Sequence, residues 1–155
     1  MSEYLLVKTV HVISSTLLFG TGIGSAFYMF FASVNRDARI VHFVTRYVVI
    51  ADWVFTTTAI IVQPLTGYWL MRLAGFPATS RWIAWSIALY LLAGACWLPV
   101  VWMQLRMREM ARAAAEQGGE LPAGYWRFFR LWVALGIPAF LSLVAVFYLM
   151  VAKPA

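Results

Sequence analysis

Apolar residues run along this chain in long unbroken blocks, and charged residues are confined to the seams between them. Residues 9–35 contain no Asp, Glu, Lys or Arg for 27 positions, 53–71 for 19, 82–105 for 24 and 131–152 for 22. A bilayer core of about 30 Å needs about 20 residues of helix at a rise of about 1.5 Å each. All four blocks reach that length or miss it by one residue. Backbone groups surrounded by lipid must be satisfied internally, so each block is predicted to be a helix. A β-barrel would show alternating segments of about ten residues, and these blocks are continuous. The expected fold is an all-α integral membrane protein, an antiparallel four-transmembrane-helix bundle. It forms one domain over 1–155, with helices near 4–32, 45–71, 82–112 and 127–151.

The ends of the blocks agree with this division. Trp69, Trp82, Trp85, Trp102, Trp126 and Trp132 fall near predicted span ends, where amphipathic rings form interfacial belts. The segment 106–117, rich in Ala, Arg and Glu, reads as an extension of the third helix beyond the lipid. Gly118 and Gly119 end it and Pro122 prevents its resumption. The first block is too long for a signal-peptide core, and Glu3 is not a basic leader.

Composition supports the membrane reading and charge orients it. The chain is 63% apolar and 12% charged, well outside the balance of a soluble domain of this size. Of its 12 basic residues, eight (Arg36, Arg39, Arg46, Arg106, Arg108, Arg112, Arg127 and Arg130) lie at the first and third connections. Lys8, Arg72, Arg81 and Lys153 lie at the other end. The bias predicts that the first and third connections face the cytoplasm and that both termini lie outside. It also accounts for the +6 net charge through lipid headgroups. Nucleic acid is therefore not an expected partner. Cys96 has no second cysteine to pair with and lies in an apolar span.

Candidate chemistry rests on the few polar residues inside the spans, because such residues are costly in lipid. Lys8 and His11 share one face of helix one by their spacing. Ser15, Gly22 and Ser25 continue that face, which is expected to turn into the bundle. An imidazole there can ligate haem iron, relay a proton or bond a neighbouring helix. His42, in the Arg-rich first connection, lies at the opposite depth and is read as a loop residue. One haem cannot be bridged by both histidines within one chain.

Gly20 and Gly24 form a small-xxx-small pair, suited to close helix packing or to a flat cofactor. Asp52, Thr56, Ala59, Gln63 and Thr66 make a polar stripe on helix two. Gln63 falls at the depth of His11 and can bond it or a ligand. Asp52 is expected to meet Arg106 or Arg130 in a buried network, as a helix-locking ion pair or as a proton or ion site. Pro64, Pro99 and Pro138 each free a carbonyl inside a span and mark bends.

Several motifs carry a resemblance. They are Lys8-x-x-His11-Val-Ile, Gly20-x-Gly22-x-Gly24, Ala51-Asp52-Trp53, Gln63-Pro64-x-x-Gly67, Trp97-Leu98-Pro99-Val100-Val101-Trp102-x-Gln104, Trp132-x-Ala134-Leu135-Gly136-x-Pro138-Ala139-Phe140 and Leu149-Met150-Val151-Ala152-Lys153-Pro154. Taken in order, they resemble the bacterial integral-membrane family called domain of unknown function 2269 (DUF2269), over nearly the whole chain. Helix one alone is similar to membrane protoporphyrinogen oxidases of the HemJ type and copper-resistance proteins of the CopD type. The HemJ likeness implies haem b, with His11 as axial ligand to the iron and Lys8 as a propionate or substrate contact. Gln63 and Gly22 complete the candidate cofactor site, and a haem-dependent oxidoreductase is the activity implied. Two other functions stay open. One is a small permease-like transporter using the Asp52–Gln63 stripe. The other is a partner subunit docking, or dimerising, through Gly20 and Gly24.

Overall fold

The computed structural model describes residues 2–154 and arranges them as four long helices with short turns. These are α1 (Glu3–Asn35), α2 (Ala38–Leu73), α3 (Arg81–Gln117) and α4 (Ala123–Ala152). No strand occurs among the described residues. Each helix is long and apolar enough to cross a bilayer.

The helices are longer than the apolar blocks alone suggested, and α2 shows why. It begins at Ala38 rather than near 45, because Asp37 caps it. The Asp37 carboxylate accepts from the backbone N–H of Arg39 (2.8 Å) and of Ile40 (3.3 Å). Arg36, at φ 63°, turns the chain between α1 and α2. A charge-free block marks where the lipid lies, whereas hydrogen bonding carries the helix into the headgroup layer. His42 is therefore not in a loop. It sits half-buried on α2, with Nδ1 enclosed and without a hydrogen-bond partner among the described residues. Likewise α3 runs on to Gln117, and Gly118 ends it with a left-handed φ of 65°. The outward face of that extension carries exposed pairs of Arg112 with Glu109 (3.1 Å) and Glu116 (3.0 Å). Its other face buries Ala111 and Ala114.

Midway along α2, Asp52–Thr56 form one π turn. The N–H of Thr57 bonds the Asp52 carbonyl five residues back, and the Thr57 hydroxyl donates to the same carbonyl (3.1 Å). Here α2 changes neighbours. Before the π turn it packs beside α3 and α1, and beyond it the close neighbour is α1. α3 and α4 lie together closely. α1 meets α4 through aromatic rings, with Phe19 stacked on Phe140 (5.2 Å between centroids) and Phe30 near Phe129 (5.7 Å).

The bundle consequently has two unlike ends. The end holding the α1–α2 and α3–α4 turns, the turn end, has a bulky core that includes Met29, Val41, Met103, Met107, Tyr125, Phe129 and Trp132. The Ser33 hydroxyl donates to the Met29 carbonyl (2.7 Å), so it accepts the proton of the Tyr125 hydroxyl (2.6 Å), tying α1 to α4. Toward the chain termini the buried positions are mostly small or polar. They include Ser14 on α1, Ala59, Gln63 and Thr66 on α2, Ser86, Ala93 and Cys96 on α3, and Ser142 on α4. At that outer edge the Trp69 indole N–H donates to Glu3 (3.0 Å), and Lys153 lies over Phe76 (5.1 Å).

Candidate functional site

Pro64, Pro99 and Pro138 all lie within helices, and one of the carbonyls they free has a visible partner. Pro64 cannot donate to the Ile60 carbonyl. The Tyr90 hydroxyl of α3 donates to it instead, at 2.7 Å. This bond crosses the gap between α2 and α3 beyond the π turn.

The polar stripe of α2 is an internal seam. Asp52, Thr56, Ala59, Gln63 and Thr66 are all buried. α1 supplies the other side of the seam. The Ser14 hydroxyl donates to the Ala59 carbonyl (3.4 Å), and the Gln63 side-chain amide donates to the backbone carbonyl of His11 (3.0 Å). His11 Nδ1 lies 2.7 Å from the Thr66 hydroxyl. Thr66 commits its own proton to the Val62 carbonyl (2.7 Å), which assigns the proton of this contact to Nδ1 and leaves Nε2 as the free acceptor. The ring edge rests on Gly67, where an added Cβ would stand 3.4 Å from His11 Cε1.

At the inner end of the seam stands Asp52, 5% exposed. The Thr56 hydroxyl donates to its carboxylate (3.0 Å), and the buried Gln104 side chain of α3 lies against the same group. The ion pairs among the described residues are all on the α3 extension, so none of the described cationic side chains neutralises Asp52. Beside it a groove of about 340 Å³ opens between α2 and α3, with walls that include Trp53, Trp97, Leu98, Val101 and Trp102. Trp53, Leu98 and Trp102 are exposed on the outer surface of the bundle, so the groove opens sideways toward lipid.

Several expected neighbours stand elsewhere. Arg106 and Arg130 do not reach Asp52; both are exposed, and Arg106 lies 5.7 Å from the Trp102 ring centroid. α3 turns Met103, Gln104 and Met107 inward, and that rotation brings an amide to Asp52 and sends Arg106 outward. The face of α1 bearing Lys8 does not point into the bundle. Val7, Ser14 and Leu18 form the buried seam, His11 flanks it, and Lys8 is exposed over the Tyr4 ring (5.6 Å). Gly22 and Gly20 are exposed and Gly24 half-buried, and a Cβ at any of the three would meet nothing within 4 Å. Among the described residues no three His, Cys, Asp or Glu side chains gather as a metal cage. Gln104, Tyr90 and the groove walls had no role in the polar-residue reading. Pro64 signalled that Ile60 needs a donor, but nothing in the sequence singled out Tyr90.

Four long apolar helices enclosing a polar seam define an integral membrane bundle. The chain belongs to the family described as predicted integral membrane protein (DUF2269), whose model matches residues 5–154. No curated protein and no solved structure matches it.

Proposed function

We propose that this protein is a small permease-like carrier of the bacterial inner membrane, with Asp52 as its charge-carrying residue and the Asp52–Gln63 seam as its polar path. The turn end, rich in arginine, faces the cytoplasm, and both termini face the periplasm. The single observation behind the reading is a buried carboxylate with no cationic partner among the described residues, at a π turn beside a lateral groove. A carboxylate in lipid is stable when neutralised by a proton or a bound cation. Occupancy by one excludes the other, which is the elementary requirement for coupling their movements. A π turn suits this role because its widened backbone concentrates at functional sites. The test is proton flux out of acid-loaded proteoliposomes when a monovalent cation (sodium, then tetramethylammonium) is added outside. The wild-type chain should release protons above empty vesicles and Asp52→Asn should not; equal flux in the two would refute the reading.

A second reading rests on a separate observation. Thr66 holds Nδ1 of His11 and leaves Nε2 free, the arrangement that suits an imidazole ligand. Haem b on that nitrogen would supply one-electron chemistry. With Lys8 and Gly22 turned outward, its remaining contacts would come from a second chain. This reading requires a Soret band in the purified protein that disappears in His11→Ala; a colourless protein made with ample haem precursor would sink it.

A further inference from the structure

From the groove beside Asp52 we infer the class of the cation: a lipophilic organic ammonium that enters sideways from the bilayer. The inference rests on the permease-like reading for its meaning in transport, but the site is argued from its own chemistry. The groove holds about 340 Å³, within the range of small-ligand sites (about 300–1,000 Å³). Its walls are aromatic and aliphatic apart from Thr57, and the one charged residue lining it is Asp52, which has no counter-ion among the described residues. Indole faces beside a carboxylate attract alkylammonium groups by cation–π and ionic attraction together.

The surroundings narrow the class further. A small inorganic cation would need several oxygen ligands, and the hydroxyl of Thr56 and the amide of Gln104 are already turned to the carboxylate. An anion would face Asp52 unscreened. A neutral apolar molecule would leave the charge of the carboxylate unbalanced, since Thr56 and Gln104 offer it only neutral hydrogen bonds. The mouth is bounded by the exposed Trp53 and Leu98, so the apolar body of the ligand can stay in the acyl layer while its head reaches Asp52. Arg106 already covers one face of Trp102. Trp53 and Trp97 are therefore the rings left for the ligand.

The test is equilibrium binding of labelled benzyltrimethylammonium to the full chain in phosphatidylcholine nanodiscs, measured against empty discs, with benzylsulfonate as the charge-reversed control. Saturable binding of the ammonium alone is expected. Asp52→Asn should weaken it by about tenfold or more, and Trp97→Leu by several-fold. Leu98→Trp, which fills the mouth from an exposed position, should also block binding and serves if Asp52→Asn fails to fold. Unchanged affinity in both Asp52→Asn and Leu98→Trp, or no saturable excess over empty discs, would overturn the assignment. Asp52-dependent binding without Asp52-dependent proton flux would keep the site and refute the permease reading. Asp52-dependent flux without ammonium binding would do the reverse.

Discussion

The two ends of this bundle are built from different materials. At the turn end, Met29, Met103, Met107, Tyr125, Phe129 and Trp132 interlock, and the Ser33–Tyr125 pair is satisfied within the core. Toward the termini, serine, alanine, threonine and glutamine face one another, and side chains bond to neighbouring helix backbones. Lipid is as apolar as leucine, so association there relies on packing and on hydrogen bonds between helices. The turn end follows the first route and the terminal half the second. Asp52 and its groove lie where the two meet, at the π turn where α2 changes neighbours. The contrast sets a bulky apolar core against a half joined by hydrogen bonds between helices.

Substitutions can break or sharpen this contrast. The largest loss is expected at the turn end: Tyr125→Ala should cost about 3–5 kcal/mol, read from unfolding by denaturing detergent in mixed micelles. A cost no greater than that of terminal-half substitutions would erase the distinction. Next comes Tyr90→Phe, at about 1–2 kcal/mol, because it strands the Ile60 carbonyl. Adding Pro64→Ala supplies a backbone donor to that carbonyl, so most of the Tyr90→Phe cost should vanish in the double variant. Additive costs would show that the bond is incidental. Thr66→Val should cost less, about 0.6 kcal/mol, yet it should shift the His11 tautomer seen in nitrogen NMR. An unchanged spectrum would contradict the assignment of the proton to Nδ1. Smallest of all, Gly24→Leu should leave the unfolding of the isolated chain nearly unchanged, since nothing lies within 4 Å of the added carbon. A marked loss would mean that this face of α1 is already packed.

The number and position of the spans were legible because a charged residue in lipid is expensive, so the gaps between charges record the bilayer directly. Helix ends were less legible, since headgroups tolerate arginine on a continuing helix, as at Arg39 and Arg46. The stripe from Asp52 to Thr66 was readable from its 4, 3, 4, 3 spacing, and all five positions are buried. Its partners were not readable, because they depend on how each neighbouring helix rotates about its axis. Spacing places Lys8 and His11 on one face of α1 but does not say how far that face turns inward. The rotation of α1 buries Val7 and Ser14, keeps His11 at the seam and leaves Lys8 outside. The rotation of α3 likewise exchanges Arg106 for Gln104 at Asp52. The π turn left no periodic signature, since one widened turn leaves the spacing of the stripe intact.

Proton flux through Asp52→Asn, measured beside the unfolding midpoint of the same variant, bears most directly on the role of the uncompensated carboxylate. A residue that carries charge should lose flux to the level of empty vesicles on neutralisation, while the midpoint stays level or rises because a buried charge has been removed. Retained flux together with a lowered midpoint would make Asp52 a structural residue and contradict the carrier role.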